Sequence, residues 1–93
     1  MVEQIKTSMR ISHKKFDGEI HNNIDVCLED MRRCGINTDN MTSLIAKACE
    51  LYNKAEFDYL GKGEQFKKNY ESLRDSMSLG SDYRKGDDSA GVK

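Results

Sequence analysis

Proline is absent from all 93 residues, and glycine stands at Gly18, Gly35, Gly61, Gly63 and Gly80 before recurring at Gly86 and Gly91. A chain without the residue that breaks helix interiors can run long helices. Glycine, which tolerates left-handed backbone, marks where they stop at Gly35, Gly61 and Gly80. Leu, Met, Ala, Lys and Glu recur between these points, and all are good helix formers.

The apolar spacing agrees. From about Phe16 to Arg33, Ile20, Ile24, Cys27, Leu28 and Met31 fall on one stripe of an amphipathic helix. Asp17 and Glu19 lie at its start and Arg32 and Arg33 at its end, signs that suit the helix dipole. Ser12 is a plausible cap upstream, and Gly35 is its stop. A short link, Ile36-Asn37-Thr38, leads to a second helix capped by Thr38 or Asp39. Its predicted buried stripe is Met41, Leu44, Ile45, Ala48, Tyr52, Ala55 and Tyr59, with Cys49 and Phe57 flanking. A third helix runs from Glu64 to about Leu79 with Phe66, Tyr70, Leu73 and Met77 inward, and Gly80 ends it. Val2 to about Ile11 carries Ile5 and Met9 four apart, which predicts a short helix that docks on the rest.

The expected fold is therefore all-α: a small bundle of three long helices plus a short N-terminal helix. Residues 1–79 form the domain, and residues 80–93 form a flexible C-terminal arm. The arm, GSDYRKGDDSAGVK, has only Tyr83 and Val92 of any bulk. That is too little apolar surface to offset the entropy of ordering it. The predicted core stripe is Ile20, Ile24, Leu28, Met31, Leu44, Ile45, Ala48, Tyr52, Phe66, Tyr70 and Leu73.

Charge narrows the function. Fifteen basic side chains face sixteen acidic ones, and the balance holds in each region except Ile36 to Leu60, which leans acidic. No segment has the clustered basic face that phosphate-driven nucleic-acid binding requires. No apolar run is long enough to span a membrane. Three cysteines, Cys27, Cys34 and Cys49, with no CxxC and no secretory leader, argue for reduced thiols in a cytoplasmic setting.

Chemical candidates give way to structural readings. Gly61-Lys62-Gly63 lacks the strand before it and the Ser or Thr after it that a phosphate-gripping loop needs, since Glu64 follows. It reads as a corner between helices. His13 and His21 stand eight apart without a ligand pattern and read as surface histidines. Cys27 and Cys34 lie two helical turns apart, beyond disulfide reach, and read as small hydrophobes. No nucleophile comes with its base. Asp87-Asp88 is solvated charge, and the series Tyr52, Tyr59, Phe66, Tyr70 is core rather than a stacking platform for bases. No catalytic, cofactor or metal residue is expected, and no enzyme.

The stretch LIAKACELYNKAEFDYLGKGEQFKKNYESLRDSMSL, with RISHKKFDGEIHNNIDVCLEDMRRCGI upstream, resembles the small head–tail connector proteins of long-tailed bacteriophages and prophages, often labelled DNA-packaging or head-completion proteins. The likeness runs from about Ile5 to Leu79 and lies in the order of the pieces. A polar turn and acidic start lead into a helix that stops at Gly-Ile, and the chain ends on Phe66, Tyr70 and Leu73. It implies a structural subunit of a ring, dodecameric in the virion, beneath the portal. Such a ring extends the DNA channel and joins the head to the next completion, stopper or tail protein. DNA would pass without sequence-specific binding, and no membrane is involved. The expected location is the head–tail junction of the virion, and the host cytoplasm during assembly. The arm would reach the portal protein, with Tyr83, Arg84 and Lys85 as docking residues. A DNA-binding packaging accessory and a generic helical dimerisation module are the alternatives.

Overall fold

The computed structural model describes residues 1–80. Its regular structure is helical throughout: α1 (Val2–Ser8), α2 (Asp17–Arg33), α3 (Ser43–Glu56) and α4 (Gly63–Leu79), with a 3₁₀ turn, Tyr59–Gly61, before α4. The all-helical expectation holds among the described residues. The predicted flexible arm lies outside them, apart from Gly80.

α3 is the shared wall. Both α2 and α4 pack along it, α1 rests on α2 and α3, and α2 and α4 make scant direct contact with each other. Ile20, Met31 and Ile45 are fully enclosed, with Ile24, Cys27, Ala48, Cys49, Tyr70 and Met77 around them. Each large aliphatic group so buried stabilises the fold by roughly 1.5–3 kcal/mol. Leu28, Tyr52, Phe66 and Leu73 of the predicted stripe are partly buried and pack against this core.

Leu44 departs from the predicted stripe. It is 40% exposed and Met41 is 51% exposed. Leu44 lies on the first turn of α3, one heptad before the buried Leu51. The neighbours cover Leu51 but do not extend over Leu44, at the end of the bundle where Leu79 is also exposed.

Two helix caps also differ from expectation. α3 is capped by Thr42, whose hydroxyl accepts from Ile45 N at 3.3 Å. Thr38 and Asp39 are used in the link itself. Arg32 donates to Thr38 Oγ1 at 3.1 Å, and Asp39 N donates to Asn37 Oδ1 at 2.9 Å. α2 begins at Asp17, next to the expected Phe16, but its cap position is held by Phe16 and not by Ser12, with no side-chain cap bond. Asp17 is fixed there by Lys6 Nζ at 2.8 Å, and Phe16 packs edge-on against Phe57 with ring centroids 5.5 Å apart. Lys6 is only 4% exposed, so this ion pair ties α1 to the start of α2 from below the surface.

The stop at Gly35 forms as predicted. Gly35 takes φ +83°, and Ile36 N donates back to Met31 O at 3.0 Å, which satisfies a carbonyl of the last turn. Ile36, read as mere link, is itself fully buried. Between α2 and α3 the core holds one amide pair: Asn23 Nδ2 donates to Asn53 Oδ1 at 3.1 Å, and Asn53 Nδ2 donates to Cys49 O at 3.0 Å.

Adjacent residues test this packing. Ile45→Ala is expected to cost about 2–5 kcal/mol in urea denaturation, and Leu44→Ala to stay within about 0.5 kcal/mol. Equal losses would contradict the orientation of α3.

Candidate functional site

Because α2 and α4 splay from a common wall, a cleft of about 930 Å³ opens between them, floored by Tyr52 and Ala55 of α3. Asp30 on α2 closes one end. Its Oδ2 accepts from Tyr70 Oη at 2.7 Å and from Arg74 Nη1 at 3.0 Å, both on α4. Its Oδ1 accepts from Arg33 Nη2 at 2.9 Å. The Arg74 guanidinium lies 5.7 Å from the centre of the Tyr70 ring and reaches Asp75 as well.

The carboxylate is 19% exposed. Burial pushes the Asp30 carboxyl up, but the Tyr70 hydroxyl and the Arg74 and Arg33 guanidiniums hold it below its ordinary value. Burial and the same contact push the Tyr70 hydroxyl well above the ordinary phenol range, so Tyr70 stays a donor. Glu50 forms a smaller node on α3. Burial raises its carboxyl, and Lys54, Ser8 and Lys47 more than offset that; Lys54 Nζ is at 2.9 Å and Ser8 Oγ at 2.8 Å.

The cleft carries six acidic side chains, Glu29, Asp30, Glu56, Asp58, Glu64 and Glu71, against Arg33, Lys67 and Arg74. Asp58 is committed to the corner. Its Oδ1 accepts from Gly63 N at 2.7 Å, so the amide that would face a phosphate is already occupied. A Cβ at Gly63 would fall 2.7 Å from that oxygen and 3.0 Å from Ala55 O, so only glycine fits. Asp58, Leu60 and Gly61 all take left-handed backbone in this turn.

The remaining chemical candidates are spread out. Cys27 and Cys49 are buried and touch each other between α2 and α3, while Cys34 is half-buried. Contact with Cys49, together with burial, pushes the Cys27 thiol up and keeps it protonated. His13 lies against Phe16, and His21 sits 3.7 Å from Asp25 on the exposed side of α2. The aromatic series pairs with itself: Tyr52 meets Tyr70 edge-on at 5.2 Å, and Lys54 stands 5.5 Å from both the Tyr59 and Phe66 rings. Among the described residues, no group of three or more His, Cys, Asp or Glu could hold a metal ion. No described helix is long and apolar enough to cross a membrane. Tyr83, Arg84 and Lys85 lie outside the described residues.

Asp30 and Arg74 were not singled out by the sequence. The one available signal was Tyr70 and Arg74 four apart, a single face of α4. Comparison with protein-family models, curated proteins and solved structures gives no match.

Asp30→Asn is expected to destabilise the protein by about 1–3 kcal/mol at neutral pH, because Tyr70 and Arg74 lose a charged acceptor. A carboxyl held low by the fold stabilises fully above its unfolded value of about 4, and that contribution fades as pH falls through the lower folded value. The gap between native and variant protein in denaturant titrations should therefore shrink below about pH 4. A constant gap down to acid would contradict the role of the charge.

Proposed function

We propose that this chain is a non-catalytic structural subunit of the head–tail connector of a long-tailed bacteriophage or prophage. In this reading it is a small bundle of three long helices with a short N-terminal helix. Copies form a ring beneath the portal, extend the DNA channel and join the head to the next completion or tail protein. The observation that carries the reading is the open layer of helices. α2 and α4 share one wall and leave a cleft on one face, while Met41, Leu44 and Leu79 stay exposed at one end and Leu60 at the corner. A thin unit of this kind leaves surface for neighbours to cover, and a head-to-tail contact closes into a ring when its rotation permits. The sequence resemblance from Ile5 to Leu79 supplies the setting, and the near balance of charge suits a conduit that must not grip phosphate.

Cryo-electron microscopy of the parent virion is expected to place the chain as a ring between portal and tail; density elsewhere would reject the proposal. Deleting residues 80–93 should leave the helical circular dichroism intact and abolish portal binding. Unchanged binding would remove the arm from the mechanism.

A further inference from the structure

Residues 10–15 join α1 to α2 and carry Arg10, His13, Lys14 and Lys15, all exposed. None of Arg10, Lys14 and Lys15 has an ion-pair partner among the described residues. The segment is held in shape. Arg10 takes φ +60°, Ile11 N donates to Lys6 O at 2.9 Å, Lys15 N donates to His13 Nδ1 at 3.2 Å, and Asp17 N donates to Lys14 O at 3.2 Å. Its cations are thus presented on an ordered frame, which lowers the entropy lost on binding.

The cleft has the opposite surplus. Asp30 and Asp58 are satisfied internally, whereas Glu29, Glu56, Glu64 and Glu71 have no ion pair among the described residues. Six acids against three bases leave the lining three charges negative, matching the three cations of the segment that have no ion pair among the described residues. Val26, 39% exposed, and Tyr52 give it apolar area besides.

Within one molecule the two surfaces form no ion pair with each other among the described residues. Asp17 faces α1 through Lys6, and Val26 faces the cleft. They lie nine residues apart on α2, about two and a half helical turns, so α1 and the cleft take opposite sides of that helix.

We propose that Arg10, Lys14 and Lys15 of one subunit seat in the cleft of a second copy, against Glu29, Glu56, Glu64 and Glu71. The inference rests on the reading of the chain as an assembly subunit and names the faces by which its copies join. A nucleic acid would satisfy the basic segment alone, and a basic peptide the cleft alone. A second copy satisfies both at once. Because the two faces differ, the contact is heterologous and propagates from copy to copy.

Charge reversal tests it on the full chain by sedimentation velocity up to millimolar concentration, with circular dichroism confirming the fold of each variant. The native protein is expected to associate at low salt and to lose at least tenfold in affinity at about 1 M salt, where screening acts within about 3 Å. Lys14→Glu/Lys15→Glu should be monomeric, since an acidic segment then faces an acidic cleft. Glu29→Lys/Glu56→Lys should also be monomeric, with both faces basic. Mixing the two variants restores opposite charge at every contact and should restore association. A native protein that stays monomeric at low salt, variants that associate as the native does, or no recovery on mixing would each overturn the contact. So would a monomeric native protein that shifts duplex DNA through Lys14 and Lys15, which would assign the segment to nucleic acid. A virion ring built through other surfaces would overturn this contact and leave the connector reading standing.

Discussion

One carboxylate sets the shape of this molecule. α2 and α4 lean on α3 from either side, and the polar bridge between them runs through Asp30 to Tyr70 and Arg74. Because the bridge is charged and mostly enclosed, it has a defined length and three defined donors. Apolar packing alone would let two helices close over a common wall. A carboxylate held between a phenol and two guanidiniums fixes where α2 and α4 meet, because shifting either helix would leave buried charge without its partners. The cleft lies between the two helices, with this bridge across one end.

The helices were legible from the residues because their causes are local. Missing proline, apolar recurrence at helical spacing and the stop at Gly35 each act within one or two turns. Local rules also misled. Thr38 and Asp39 are good cap residues, but the turn beside Asn37 and Arg32 uses them, and Thr42 takes the cap. Leu44 has helical phase with the core but no neighbour at that level, which periodicity on a single helix cannot reveal. Ile36 lies outside any stripe and is buried all the same. The polar contacts were least visible. Lys6 with Asp17 and Asp30 with Arg74 join residues whose proximity depends on how the helices are arranged.

The same arrangement separates charge on a chain that is nearly neutral in total. The core uses its apolar residues sparingly, and the balance of acids and bases conceals a basic segment on one side of α2 and an acidic cleft on the other. A polar surface divided in this way suits selective contact with something equally divided.

The amide pair Asn23 and Asn53 adds a constraint of a different kind. Both are enclosed, and the bond from Asn23 Nδ2 to Asn53 Oδ1 forms only at one alignment of the two rods. Sliding either rod by a turn would strand two dry dipoles, so slipped isomers of the protein are penalised. Uniformity of this sort matters little to a protein working singly. In the proposed ring every misfit would be passed on to the next member, and a locked register would let the last gap match the first.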